Sequence, residues 1–354
     1  MKRADLFFIA GEMSGDQHGA ALIRSLLDRS PSLTIHGVGG EAMTNAGMHP
    51  LMDMEPFTLM GISDIPPRIP RLLIAYRRLW RHLLTSPPRL LITIDSPALT
   101  LRLARSLKKR ASPSRIIHYI CPSGISWCGK EAGKLEQSID HLLTIFPSDI
   151  PMTIPVDYVG NPTLQGLQHR HNREKTLLSL FPGSRKPEVV RNLPLQVAAM
   201  APLAREKGKT LAISSAYPSL DKSIKEIAPP GSLIIPPSER PEMMERSALA
   251  LATSGTITLE IALRGIPMVV SYAMRSIDAW VVKKIMRVKL PYYSLPNLIM
   301  GRKIIREHYG PKLSAERVRE SLREAKEEIS AELRGRLAGG RCAADILLNY
   351  LSSP

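Results

Sequence analysis

Three stretches of the chain carry residue types at spacings that could do chemistry. Asp95 follows the apolar run Leu90 to Ile94 and precedes Ser96-Pro97. In an open parallel α/β sheet, ligands gather outside the carboxyl ends of the strands, so a carboxylate delivered there can serve as a general base. A turn or capping aspartate is the plainer account, and chain position alone leaves both open. Arg185 closes Pro182-Gly183-Ser184-Arg185 after the run Leu177 to Phe181. Its planar fork suits a phosphate leaving group, while simple solvation explains an isolated arginine equally well. Ser254-Gly255-Thr256 follows Leu249 to Ala252 and puts small residues where a helix must begin, with N–H groups pointing outward from its first turn. Such a helix start suits a diphosphate. Glu260 lies four residues after Thr256, hence on the same helix face, where it could accept two ribose hydroxyls. Taken alone, this stretch reads first as an ordinary capped β-α-β unit.

The elements that must position these residues alternate in type. Leu6 to Ala10 is a short apolar strand, followed by Gly11-Glu12-Met13-Ser14-Gly15-Asp16 and a helix through about Leu27. The glycine spacing is not the dinucleotide fingerprint. Close helix–strand packing and close approach to a ligand remain two readings of Gly11, Gly15 and Gly19. Ile35 to Val38 leads into a second glycine turn, Gly39-Gly40, so a parallel α/β sheet is expected. Strands at 116–120, 141–146 and 156–159 continue it. A polar, His-rich run near 165–175 reads as a linker, dividing the chain into domains at 1–168 and 173–354. A second α/β series follows, with strands at 177–181, 211–214, 233–235, 249–252 and 268–272, then a charged helical stretch from Ser314 broken near Gly339-Gly340.

Residues 54–84 differ in character. Met54, Phe57, Leu59, Met60 and Ile62 are apolar where a loop is expected, and they read as an exposed ligand-gathering cluster. From Arg71 to Leu84, Leu72, Leu73, Tyr76, Leu79, Trp80, Leu83 and Leu84 recur at helical spacing opposite Arg71, Arg77, Arg78, Arg81 and His82. Such a helix can lie on an anionic membrane or face a core with its arginines solvated.

At 354 residues, two domains are the natural prior. Lys plus Arg number 48 against 32 acids, a formal charge of +16 that calls for an anionic partner. With 5% aromatics and no nucleic-acid-binding signature, sequence-specific nucleic-acid reading is the weakest candidate. Cys121, Cys128 and Cys342 lack metal-ligand spacing and fit a reduced, cytoplasmic protein. No signal-peptide pattern or membrane-spanning run is apparent, so any membrane contact is expected to be peripheral.

Two α/β halves, with a diphosphate-type turn in the second and a carboxylate at a strand end in the first, describe a GT-B-like glycosyltransferase. From about Phe7 to Arg302 the chain resembles the lipid-A-disaccharide synthase family. The landmarks are Gly11-Glu-Met-Ser-Gly-Asp16, Gly37-Val-Gly-Gly40, Met60-Gly61, Ile94-Asp95-Ser-Pro97, His118-Tyr-Ile-Cys-Pro-Ser123 with Trp127, and Gly160-Asn-Pro162. They continue with Pro182-Gly-Ser-Arg185, Ser254-Gly-Thr256 with Glu260, Pro267-Met-Val-Val270, and Ser294-Leu-Pro-Asn297 with Gly301-Arg302. The resemblance implies two Rossmann-like parallel-sheet domains with a cleft between them. It also implies an inverting transfer from UDP-2,3-diacylglucosamine to 2,3-diacylglucosamine 1-phosphate, giving the β-1,6-linked disaccharide 1-phosphate and UDP, with no cofactor and no metal.

By the same resemblance Asp95 matches an essential aspartate and Arg185 an essential arginine. Ser184, Ser254, Gly255, Thr256, Glu260 and Asn297 would hold the donor UDP. Ser14, Gly15, Asp16, Met60, Gly61 and Ser123 would belong to acceptor-side loops. An acylated UDP-sugar and an acylated sugar phosphate are the implied partners, at the inner face of the cytoplasmic membrane, and a homodimer with exchanged C-terminal segments is compatible. The chain also departs from the family pattern. Where the family has Ala-Pro-Asp-Phe-Asn after its aspartate, Ser96-Pro-Ala-Leu-Thr100 stands here, and Phe146-Pro-Ser-Asp149 replaces Phe-Pro-Phe-Glu. The Pro-Ser-Val-Trp-Ala-Trp segment is Pro122-Ser-Gly-Ile-Ser-Trp127, and the Glu-Leu-Leu-Gln pattern is altered at Glu307-His-Tyr309. A UDP-sugar 2-epimerase-like enzyme shares the fold but needs no acyl groove. A basic RNA- or lipid-binding module would explain the charge while leaving Asp95, Arg185 and Glu260 as coincidence.

Overall fold

The computed structural model describes residues 4–57, 65–95, 97–120, 129–147, 152–165, 174–275, 292–326 and 330–352. The chain divides into two compact units, Met1–Pro162 with Gly339–Pro354, and Thr163–Ala338.

In the first unit the strands are β1 (Leu6–Ala10), β2 (Ile35–Gly39), β3 (His49–Asp53), β4 (Leu90–Ile94), β5 (Arg115–Tyr119), β6 (His141–Thr144) and β7 (Val156–Tyr158). They form a parallel sheet in the order β3-β2-β1-β4-β5-β6-β7. β1 and β4 are buried at every position, as apolar strands covered on both faces must be. One face packs against the Met13–Arg29 helix through Leu22, Ile23 and Leu26. The other packs against the Ile65–Thr85 and Pro97–Lys108 helices through Leu79, Leu83, Leu103 and Leu107.

Two expectations for 54–84 change here. Met54 and Phe57 are core residues, 6% and 4% exposed, because the short turn Glu55–Phe57 folds them under the Ile65–Thr85 helix. Leu59, Met60 and Ile62 lie outside the described residues. In the helix, Ala75 joins Leu79 and Leu83 in the core, while Leu73 and Ile74 face outward at 47% and 66% exposure. Trp80 is fixed by an Nε1–H bond to Ser106 Oγ at 2.9 Å and by Arg110 stacked 4.6 Å from its ring.

The second unit repeats the plan with β8 (Leu177–Phe181), β9 (Thr210–Ser214), β10 (Leu233–Ile235), β11 (Ser247–Ala252), β12 (Met268–Ala273) and β13 (Arg306–Gly310), all parallel, in the order β10-β9-β8-β11-β12-β13. The Lys186–Glu206 helix packs Val189, Leu193, Met200 and Leu203 onto this sheet.

Gly339–Pro354 returns to the first unit, and a glycine makes the return tight. A Cβ on Gly340 would lie 2.2 Å from Gly160 N, so only hydrogen fits between the two backbones. Beyond it, Arg341 grips both carboxylate oxygens of Asp157 at 2.9 and 3.1 Å. Ala344, Ile346 and Leu347 enter the core, and the Tyr350 hydroxyl meets His141 Nδ1 at 2.9 Å.

Candidate active site

The strand orders decide where ligands can sit. In the first sheet β1 and β4 are neighbours whose following helices cover opposite faces, which opens a crevice outside their carboxyl ends. Ala10 pairs with Ile94, so the turn after β1 and the residue after β4 meet at that crevice. Asp95 stands there with φ 45°, the left-handed region that Asp tolerates better than most residues. Its N–H donates to Tyr119 O at 3.1 Å, and its carbonyl accepts from Thr100 Oγ1 at 2.9 Å. This conformation turns the chain sharply off the strand. A non-glycine residue so held costs on the order of 1–3 kcal/mol, and such residues concentrate at functional sites.

Across the crevice, Ser14 is half-buried in the first turn of the Met13–Arg29 helix, and Gly15 is buried. A Cβ on Gly15 would sit 3.5 Å from Ile94 Cγ2, so this glycine lies against the strand that delivers Asp95. Gly19 is a packing residue, with Met43 Sδ only 2.2 Å from where a Cβ would be. Asp16 is 2% exposed and faces inward. Its Oδ1 accepts from Gly40 N at 2.8 Å and Met43 N at 3.1 Å, and its Oδ2 from Ala42 N at 3.1 Å. It therefore caps the short Glu41–Asn45 helix and ties the turns after β1 and β2 together. Met60, Gly61 and Ser123 lie outside the described residues.

His118, beside β4 on β5, is fully buried, and burial pulls its pKa down to about 4. Its Nδ1 lies 2.8 Å from Thr93 Oγ1, so the imidazole is a neutral, fixed member of the sheet face two residues upstream of Asp95.

The second unit has the same switch between β8 and β11. Thr253 N and Thr253 Oγ1 both donate to Phe181 O, at 2.9 and 3.0 Å, which holds the two strand ends side by side. Ser184 is exposed, and Arg185, 49% exposed, is the N-terminal flanking residue of the Lys186–Glu206 helix. Gly183 reaches φ 115° to make that turn, and a Cβ there would press to 2.8 Å from Glu188 Oε2. Gly255 and Thr256 are exposed at the start of the Thr256–Leu263 helix, with open space where a Gly255 Cβ would project. Glu260 is one turn further on, and its Oε1 accepts from Arg264 Nη2 at 3.2 Å. Positive helix-end N–H groups, a guanidinium and an exposed glycine turn thus share one sheet edge, an arrangement suited to a diphosphate.

Asn297 is fully buried and engaged on both ends: Nδ2 donates to Ile305 O and Glu307 Oε1, and Oδ1 accepts from Ile304 N and Ile305 N, each at 2.8 Å. Its amide builds the loop that flanks the turn. Ser254 Oγ likewise donates to Tyr293 O at 2.5 Å. Thr100 and Glu307, which the sequence marked only as departures from the family pattern, are the supporting residues to which it gave no role. The departures at Ser96–Thr100 and Glu307–Tyr309 were the available signals, but neither states what the side chain would bond.

A cavity of about 470 Å³, lined by Gly265, Ile266, Met268, Ile305, Arg306 and Glu324 among others, opens at the amino ends of β12 and β13, the opposite edge from Ser254. Among the described residues, no group of three or more His, Cys, Asp or Glu side chains is placed to hold a metal ion, and no helix is long and apolar enough to cross a membrane.

Comparison with solved structures places the fold. The glycotransferase of kitacinnamycin aligns over 99% of this chain and 100% of its own with a TM-score of 0.63 at 14% identity. The UDP-GlcNAc 2-epimerase of Methanocaldococcus jannaschii, in complex with UDP-GlcNAc and UDP, aligns over 98% and 99% with a TM-score of 0.58 at 13% identity. At such identities the likeness is one of architecture, the GT-B arrangement of two Rossmann-like domains. Among curated proteins, the lipid-A-disaccharide synthase of Chlamydia pneumoniae is 35% identical over 86% of this chain, and the match covers 54% of the relative. This chain thus spans about half the length of the chlamydial relatives it matches. The lipid-A-disaccharide synthase of Rhodopseudomonas palustris is 29% identical over 98% of this chain and 95% of its own. The sequence model of the lipid-A-disaccharide synthetase family matches residues 6–335, which include every strand of both sheets, and the chain belongs to that family.

Proposed function

We propose that the protein is an inverting glycosyltransferase that joins UDP-2,3-diacylglucosamine to 2,3-diacylglucosamine 1-phosphate, forming a β-1,6-linked disaccharide 1-phosphate and UDP. The observation that carries this reading is the position of Asp95: a carboxylate at the switch point between β1 and β4, on a left-handed residue held at both its N–H and its carbonyl. In an inverting displacement the acceptor 6-hydroxyl attacks the anomeric carbon from the face opposite the leaving group. Asp95 takes the hydroxyl proton as the new C–O bond forms and the C–O bond to the diphosphate breaks. Charge then grows on the departing UDP, where Arg185 and the N–H groups at the start of the Thr256–Leu263 helix stabilise it. Glu260 takes the ribose hydroxyls in this scheme.

The first unit takes the acylated acceptor and the second the nucleotide, with the +16 charge and the outward Arg77, Arg78 and Arg81 supporting a peripheral, anionic membrane surface at the cytoplasmic face. The test is UDP release from the diacylated donor in detergent micelles, with and without the monosaccharide 1-phosphate, for wild type, Asp95→Ala and Arg185→Ala. Acceptor-dependent release reduced at least about a hundredfold by each substitution is expected. Absence of release with wild type across donor acyl lengths would overturn the proposal.

A further inference from the structure

Glu307, in the edge strand β13, belongs to none of the proposed substrate contacts, yet its carboxylate organises the ground on which the nucleotide turn stands. Oε1 accepts from Ser294 N at 2.7 Å, Ser294 Oγ at 2.6 Å and Asn297 Nδ2 at 2.8 Å, and Oε2 accepts from Tyr293 N at 3.0 Å. Ser294 and Asn297 are fully buried, while Tyr293 and Glu307 are half-buried. The Tyr293 ring also lies tilted at 38° against that of Tyr309, 3.8 Å between centroids, two residues beyond Glu307 on the same strand. This network reaches the turn after β11 through the hydrogen bond from Ser254 Oγ to Tyr293 O.

That bond assigns the Ser254 proton. A hydroxyl has one hydrogen to donate, and here it goes to a main-chain carbonyl, so Ser254 anchors its turn rather than donating to a phosphate. The same peptide residue, Tyr293, offers its N–H to Glu307 and its carbonyl to Ser254. A shift in the first moves the second, and with it the Gly255-Thr256 helix start.

We propose that Glu307 is a positioning residue for a nucleoside diphosphate: through Tyr293 and Ser254 it fixes the turn whose N–H groups face the ligand. The inference rests on the reading of 254–256 as the nucleotide turn. A carboxylate is required because all four partners are donors. In Glu307→Gln one end of the side chain becomes an amide donor facing an N–H, so at least one bond is lost while size and shape are kept.

The experiment measures UDP affinity by calorimetry and steady-state constants for both substrates in wild type, Glu307→Gln, Ser254→Ala and Gly255→Val. Glu307→Gln is expected to weaken UDP about tenfold and to raise the donor KM by a similar factor, leaving the acceptor KM within about twofold. Ser254→Ala removes only the link and is expected to weaken UDP about threefold or more, so it carries the test if Glu307→Gln fails to fold. UDP affinity unchanged in a folded Glu307→Gln, or in Ser254→Ala, overturns the positioning role. The reading beneath it has its own control. Gly255→Val places a bulky side chain at the helix start, and if UDP still binds with wild-type affinity, 254–256 is not the nucleotide turn. Lost binding in Gly255→Val with unchanged affinity in Glu307→Gln would overturn the positioning role alone.

Discussion

Thr100 Oγ1 donates a 2.9 Å hydrogen bond to the carbonyl oxygen of Asp95, the residue that turns off β4 with φ 45°. Thr100 is itself fully buried. The bond satisfies a carbonyl that the reversed backbone takes out of the sheet ladder, and it holds the aspartate's main chain in a conformation that the chain would otherwise leave. The resemblance places an asparagine at this position in related chains, and an asparagine amide carries a donor on a similarly short side chain. Thr100→Val keeps the shape and removes the donor. It should lower stability by about 1–2 kcal/mol and lower kcat more than the KM of either substrate, since Asp95 loses its fixed orientation. Thr100→Asn should recover most of the loss. The comparison is made by chemical denaturation and by the UDP-release assay, and equal kcat for all three proteins would remove Thr100 from the account.

Asp16 poses a question that one substitution answers. Its two oxygens accept three backbone N–H bonds at the start of the Glu41–Asn45 helix, from a site almost closed to solvent. Asp16→Asn cannot accept at both ends, and the expected loss is about 1–3 kcal/mol of stability. Thermal unfolding measures that loss. If kcat/KM per folded molecule stays within about threefold, the cap accounts for the motif; a hundredfold fall would show a direct part in acceptor binding.

The pH dependence of stability follows from His118. Burial pulls its folded pKa to about 4, below the unfolded value of 6.5. A group whose folded pKa is depressed contributes stability that is fully present above its unfolded pKa and is lost as pH falls toward the folded one. The window is therefore pH 6.5 down to about 4, and the amount is about 3 kcal/mol for a shift of this size. His36 and His82, also lowered chiefly by burial, act in the same direction. Denaturation midpoints measured from pH 7.5 to 5 should fall in wild type. In His118→Asn, where an amide can still meet Thr93, the fall should be shallower. Parallel curves would assign the dependence to other groups.

Gly37 tests the packing reading of a motif glycine. It pairs with Phe8 across β1 and β2, and a Cβ there would come within 2.4 Å of Phe8 O and 2.6 Å of Met48 Sδ. The carbonyl belongs to the central strand and cannot move as a side-chain tip does. Gly37→Ala should destabilise by about 2–3 kcal/mol and lower the thermal midpoint by several degrees. An unchanged midpoint would mean that β2 can shift away from β1 at little cost.

The sequence by itself determined most of the strands, because a parallel strand covered on both faces must be apolar along its length, and Leu6–Ala10, Leu90–Ile94 and Leu177–Phe181 are. It also determined which residues end those strands, and so put Asp95, Arg185 and Ser254-Gly255-Thr256 at one kind of edge. The two strands it did not mark, His49–Asp53 and Arg306–Gly310, are both at sheet edges, where one side lacks a neighbour and the apolar signature fades. Strand order was left to the tertiary structure, since nothing in a run of valines and leucines states which neighbour it takes. That order makes β1 and β4, and β8 and β11, adjacent, and turns four separate chain ends into two crevices. Inward and outward roles at a single residue were decided the same way. Asp16 and Asn297, assigned to substrate by resemblance, turn their side chains inward onto backbone N–H groups, because buried polar groups must find partners.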